Sequence, residues 1–358
     1  MSDRPYLFYG ADISYFSAKV RPALRTKGVR HAEVLPDYAD IKRRTGLHYI
    51  PVVVTPTDET WQDTSTILDH LEAAHPEPPL FPTTPVQRVV AYLFELYADE
   101  FMLLPAMHYR WNFEESELKA RSDFAALQED AARAHRFADT MKGTLPMLGV
   151  RDDTIVPIET HLDDLLTALE NHFEEHGYLL GDRPSLADCA LMGPMYAHLY
   201  LDAVPGRILH EYHRVANWIE RMNHPVPGAK GKWLARDALA PTLRPVLKLI
   251  GRDAVPWVLD GVKAIERWAK AGIPADRRPP RIVGTTTSSL RGHEAERGVQ
   301  AYTLWMAQRP IDAYRALSAS ARKKVDEALA GTGCEKLLAC EPRVRLAKEG
   351  FELVVAAD

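Results

Sequence analysis

The sequence predicts a small α/β domain, then an all-helical domain, then a mixed and mostly helical extension. Three observations carry this reading. Short β-branched or aromatic runs alternate with helical patterns through residues 1–75. Five prolines in the stretch Ala74 to Pro85, the last included, break the chain into a linker. Beyond them long helical segments follow, with no strand signal of comparable strength until residue 224.

Within residues 1–75, Tyr6 to Tyr9 reads as a first strand and Gly10 to Ile13 as a loop. Phe16, Val20, Ala23 and Leu24 fall at helical spacing opposite Lys19, Arg21, Arg25 and Lys27, and Gly28 ends that helix. Pro22 inside it predicts a kink unless the helix starts late. Ala32 to Leu35 is a second strand, parallel to the first because a helix connects them. Asp37 to Arg44 predicts a short irregular helix. Val52, Val53 and Val54 run without a polar break, as a strand buried on both faces does. Turn residues Thr55 to Asp58 allow Glu59 to Gln62 to pair back as a short antiparallel strand. Asp63, Thr64 and Ser65 then cap an apolar helix of Ile67, Leu68 and Leu71.

In residues 86–224 the segments Val86 to Leu104, Glu114 to Met141, Pro157 to His176, Leu186 to Leu201 and His210 to Met222 predict packed helices. Ser185 and Asp188 form a capping box ahead of the Leu186 helix, and Cys189 reads as a small buried hydrophobe. Residues 225–358 carry no catalytic signature and read as a packing module or oligomer surface. Helices are expected over Thr242 to Ile250, Val255 to Gly272, Gln300 to Gln308, Pro310 to Leu317 and Ser320 to Leu329. Ile273 to Gly284 is extended or loop, and Val344 to Val355 is a terminal hairpin around Gly350.

A net charge of −5, with Lys and Arg scattered along the chain, argues against a nucleic-acid partner. The basic runs Lys42 to Arg44 and Arg277 to Arg281 read as solvated surface. No apolar run is long enough for a membrane span, and Met1 to Pro5 lacks a secretory h-region. Three cysteines, Cys189, Cys334 and Cys340, sit in no paired spacing, which suits a reducing cytoplasm. No metal-ligating set stands out.

Three patterns resemble the glutathione transferase superfamily. Ser14-Tyr-Phe-Ser-Ala-Lys-Val-Arg-Pro-Ala-Leu24 is similar to the S-P-F-x-x-K-V-R-x-A-L segment that opens the first helix of serine-type and cysteine-type members. Ile50-Pro51-Val52 resembles the V-P-V element whose proline is cis, and Asp63-Thr64 with Ile67 resembles the E-S-x-A-I segment that binds the γ-glutamyl part of glutathione. The likeness spans about residues 6 to 222. It implies a thioredoxin-like domain over residues 1–75, the family's helical domain over 86–224, and an atypical extension over 225–358. It also implies a homodimer with glutathione as co-substrate.

Conjugation needs the thiolate, and an ordinary thiol is mostly protonated at neutral pH. A hydroxyl donating to the sulfur favours the thiolate, and the first loop, where the first helix aims its N–H groups, is where it must sit. The family pattern matches Ser14, which can equally act as an N-cap; Tyr9, Tyr15 and Ser17 compete as donors. Absence of a cysteine before Cys189 excludes glutaredoxin-like disulfide chemistry. The resemblance gives the γ-glutamyl end to Asp63, Thr64 and Ser65, and the cysteinyl part to the backbone of Ile50 before Pro51. Tyr49 stands where many members have Lys or Gln, and Tyr15 replaces the proline of S-P-F. His48 and Arg44 are then the nearby cations for the glycine carboxylate. Tyr109, Trp111 and Phe113 read either as core aromatics or as the lining of an apolar second-substrate pocket. The leading functional expectation is a transferase acting on a hydrophobic electrophile; the alternative is a non-catalytic binding or scaffold protein on the same fold.

Overall fold

The computed structural model describes residues 4–127, 130–226 and 231–357. Four strands open the chain: β1 (Tyr6–Tyr9), β2 (His31–Val34), β3 (Val52–Val54) and β4 (Thr60–Gln62), with α1 (Tyr15–Thr26), α2 (Tyr38–Thr45) and α3 (Thr64–Ala74) between and after them. The sheet order is β2-β1-β3-β4, with β1 parallel to β2 and antiparallel to β3, and β3 antiparallel to β4. This is a thioredoxin-like sheet. Phe8, Val53 and Trp61 face α1 and α3 in the main core, while Tyr9, Val52 and Val54 form a second small cluster with Ile41 of α2. The continuous apolar run Val52 to Val54 thus serves two cores at once. α1 continues through Pro22.

After the linker come α4 (Pro85–Leu96), α5 (Leu103–Trp111), α6 (Glu114–Ala126), α7 (Ala131–Gly143), α8 (Leu145–Leu148), α9 (Asp152–Glu175), α10 (Leu186–Pro194), α11 (Ala203–His210) and α12 (His213–Asn223). π-helical turns at Tyr97–Phe101 and Met195–Tyr200 prolong α4 and α10. A π turn shifts carbonyls out of the regular ladder. Here side chains take carbonyls within them: Ala98 accepts from the Tyr15 hydroxyl, and Ala197 from Arg110 at 2.7 Å. The capping box is present, with both Ser185 N–H and Oγ donating to Asp188, at 2.9 and 2.7 Å. Asp188 also accepts from Trp218 at 3.1 Å, which ties α10 to α12.

The extension comprises α13 (Arg244–Leu249), α14 (Val255–Ala271), β5 (Ile282–Leu290), β6 (His293–Gln300), α15 (Tyr302–Arg315), α16 (Ala319–Leu329), α17 (Glu335–Leu338), β7 (Leu346–Glu349) and β8 (Glu352–Val355). The terminal hairpin is present, turning at Gly350 with φ 60°. The β5–β6 hairpin is a feature sequence reasoning missed. Its turn, Arg291-Gly292, has two positive φ values, 52° and 85°, the geometry of a two-residue hairpin loop. The Thr285 to Ser289 run is polar because β5 is largely exposed, so no hydrophobic alternation marked it. α15 runs unbroken through Pro310, where two helices were expected, because Leu304, Ala307 and Ile311 bury one continuous stripe. No helix among the described residues is long and apolar enough to cross a membrane.

Candidate functional site

One rung of the sheet, Tyr9–Val52–Gln62, fixes the geometry of the site. β1 leaves the sheet after Tyr9, β3 enters it at Val52 and β4 leaves it after Gln62, all at the same end. The loop to α1, the peptide before β3 and the start of α3 therefore converge there. Ser14 caps α1, accepting from Ser17 N at 3.2 Å. It is half-buried, and among the described residues its own O–H has no acceptor. The Ile50–Pro51 bond is cis. Asp63 caps α3, its Oδ1 accepting from Thr66 N at 3.2 Å and Thr66 Oγ1 at 3.3 Å. Its φ of 76° is a conformation that costs an L-residue about 1–3 kcal/mol, and such strain clusters at functional sites. Thr64 follows at the first turn, buried.

The other expected site residues are arranged differently. Tyr9 points to the α2 face and donates to Asp40 at 2.9 Å; burial and then that bond push its pKa up to about 12. Tyr15 is buried against Gly193 of α10, its hydroxyl spent on Ala98, and burial holds its pKa well above the usual value. Ser17 Oγ accepts from Ala11 N at 3.3 Å. Ser65 is sunk in a buried ionic cluster. Lys19 Nζ donates to Ser65 Oγ at 3.1 Å, to Glu95 at 2.9 Å and to Asp99 at 2.6 Å, and Ser65 itself donates to Glu95 at 2.8 Å. Burial drives both carboxyls up; Arg309 and Lys19 overcome this at Glu95, holding it low, while Asp99 stays raised. Arg309 of α15 closes the cluster, donating to Glu95 at 2.7 Å and to both oxygens of Asp69 at 2.8 and 2.9 Å.

Arg44 is bound to Asp40 at 2.7 Å and Asp58 at 2.8 Å, and His48 is exposed. The cation beside Tyr49 comes instead from the extension. Arg281 donates to the Tyr49 hydroxyl at 3.2 Å, with its guanidinium carbon 5.4 Å from the ring centroid. Arg277 bonds the Val355 carbonyl at 3.0 Å and pairs with Glu349. The run Arg277 to Arg281 is therefore not simple solvated surface. The extension also brings Lys348 to within 3.2 Å of Asp63 Oδ2, and Tyr302 to within 2.8 Å of Lys348. Thr303 donates to Glu100 at 2.7 Å, and burial lifts that carboxyl to about 7. No motif signalled these residues, since their role comes only from chain return over more than two hundred positions. Tyr109 and Trp111 are core aromatics, buried and stacked on Phe113 and Phe124 respectively.

Sequence comparison agrees with this geometry. Residues 8–79 match the family model described as glutathione S-transferase, N-terminal domain, and residues 120–221 match glutathione S-transferase, C-terminal domain. The chain belongs to the glutathione transferase superfamily. No curated protein matches it. Among solved structures, the glutathione transferase GSTFuA3 from Phanerochaete chrysosporium is 19% identical, with 62% of this chain and 97% of that chain covered and a TM-score of 0.46. A glutathione S-transferase from Rhodospirillum rubrum F11 is 18% identical over 68% and 91%, with a TM-score of 0.42. A glutathione transferase homologue from sulfitobacter with bound glutathione is 18% identical over 64% and 96%, with a TM-score of 0.41. For a glutathione transferase chain, residues 225–358 lie beyond both matched domains.

Proposed function

We propose that this protein is a glutathione transferase-like enzyme that transfers a glutathione thiolate to a hydrophobic electrophile. The observation that carries it is the convergence of the capped α1 start, the cis Pro51 peptide and the capped α3 start at one end of the sheet. In this reading the Ser14 hydroxyl donates to the sulfur and, with the α1 N-terminus, favours the thiolate. The Ile50 backbone pairs with the cysteinyl part. Thr64 and the free N–H groups of α3 take the γ-glutamyl carboxylate. Tyr49, with Arg281 stacked on it, faces the glycine carboxylate. The protein is a cytoplasmic homodimer on this reading, and its dimer face lies away from the side of α4 that α15 and α16 cover.

The alternative, a binding or scaffold protein without catalysis, is favoured by one observation: Asp63 is already paired with Lys348. Thermal-shift titration separates the two. Millimolar glutathione raises the melting temperature of a glutathione enzyme, and conjugation follows with a thiol-reactive aromatic electrophile. An unchanged melting temperature and no turnover would overturn the enzyme reading.

A further inference from the structure

The γ-glutamyl head of glutathione carries a carboxylate and an ammonium. A helix N-terminus suits the carboxylate, but the ammonium needs an anion. Asp63 is the acid at that place, and both its oxygens are engaged: Oδ1 by Thr66, and Oδ2 by Lys348 Nζ at 3.2 Å. Neighbouring acids are neutralised as well: Glu95 by Lys19 and Arg309, Asp99 by Lys19, and Asp69 by Arg309.

Lys348 is held firmly. Its ammonium donates to the Tyr302 hydroxyl at 2.8 Å and lies 5.1 Å from the Tyr302 ring centroid. The strand that carries it is pinned to α15 by a reciprocal amide pair: Gln308 Nε2 donates to Leu346 O at 3.0 Å, and Leu346 N donates to Gln308 Oε1 at 2.8 Å. Arg345 pairs with Asp312 on the same helix, and Val355 N donates to Arg277 O at 2.8 Å. An ammonium held between Tyr302 and Asp63, on a strand tied to α15, is a fixed part of the pocket wall, unlike a lid that swings clear. With Arg281 at Tyr49, the extension adds two cations to the site and no free anion among the described residues.

We infer that Lys348 is a specificity-determining residue: it takes on Asp63 the place of a ligand ammonium, so the site prefers, over glutathione itself, a thiol peptide whose acyl head bears a carboxylate without an α-amino group. This rests on the thiol-peptide reading of the site given above. Glutathione brings a second ammonium into a place already filled by one, and like charges there disfavour it. Its desamino analogue, glutaryl-Cys-Gly, keeps the thiol and both carboxylates without that conflict.

Isothermal titration of the full chain with glutathione and with glutaryl-Cys-Gly tests this. The wild-type protein binds glutaryl-Cys-Gly about tenfold more tightly than glutathione, the scale of a single charge-assisted hydrogen bond. Lys348→Met frees Asp63 and reverses the order, whereas Lys348→Arg keeps the wild-type order. Tighter wild-type binding of glutathione overturns the inference and leaves the transferase reading standing, and this arm needs no variant to fold. An unchanged order in a folded Lys348→Met protein also overturns it. If neither peptide binds wild type or variant, the inference and the thiol-peptide site fall together.

Discussion

Ser14 is the side chain on which the proposed chemistry turns, because two of its competitors are spent elsewhere. A Tyr9→Phe change removes a bond to Asp40 on the far face of the sheet, and Tyr15→Phe removes one to Ala98. Each is expected to cost about 1 kcal/mol of stability and to leave the bound thiol's pKa unchanged. Ser14→Ala should instead raise that pKa and lower the conjugation rate about a hundredfold at neutral pH. A pH-rate profile on the three variants checks this, and a profile moved by Tyr9→Phe or Tyr15→Phe alone would reassign the donor. Ser14 was legible as a candidate from its place ahead of an amphipathic helix. Choosing among the hydroxyls was not, since Tyr9 and Tyr15 differ in which face they turn to, and that depends on sheet pairing and domain packing.

At the scale of elements, α1, α3, α4 and α15 meet around Lys19. Lys19 and Glu95 have no solvent exposure, so Lys19→Met strands buried carboxylates and is expected to destabilise the fold by about 3–5 kcal/mol. Chemical denaturation measures this loss. A buried histidine joins α9 to the extension: His172 Nε2 donates to the Tyr178 carbonyl at 3.2 Å while Nδ1 accepts from Thr242 at 3.0 Å, the pattern of a neutral ring. Burial lowers its pKa from 6.5 to about 4. A depressed histidine stabilises the fold fully above its unfolded pKa and loses that contribution as pH falls from about 6.5 towards 4, by up to about 3 kcal/mol. Melting curves across that range should therefore fall less steeply for His172→Gln than for wild type. The turn of β5–β6 makes a similar tie: Arg291 donates to Asp253 at 3.1 and 3.0 Å and to Asp164 at 2.7 Å. Burial raises the Asp253 carboxyl, but hydrogen bonds from His161 and Arg252 outweigh it and hold the group well below the usual range.

Over the whole molecule, one buried apolar cluster runs from Phe8 and Leu24 through Trp218 to Trp257, Leu304 and Leu353. The extension shares a core with both matched domains and is joined to them by Lys348–Asp63, Arg309–Asp69 and Arg291–Asp164. Urea unfolding should then follow a single transition by fluorescence and circular dichroism alike. Separate early melting of residues 225–358 would show that they fold independently. Sedimentation of the full chain is expected at twice its 40.3 kDa mass, and a species of one chain mass would overturn the homodimer.

The sequence by itself determined the elements of residues 1–75, the linker, most of the helices and the three segments that meet at the site. Those features are local: cap residues, a proline before a strand and hydrophobic periodicity act within a few positions. The β5–β6 hairpin escaped because β5 carries no apolar side chain from Gly284 to Ser289 to mark an alternation. What only the tertiary structure decided is who occupies the site. Ser65 faces inward because Lys19 and Glu95 meet it across two helices, and Asp63 is paired because Lys348 returns to it from the far end of the chain. Ion pairs between distant segments leave no spacing to read, since charge complementarity depends on position in space alone.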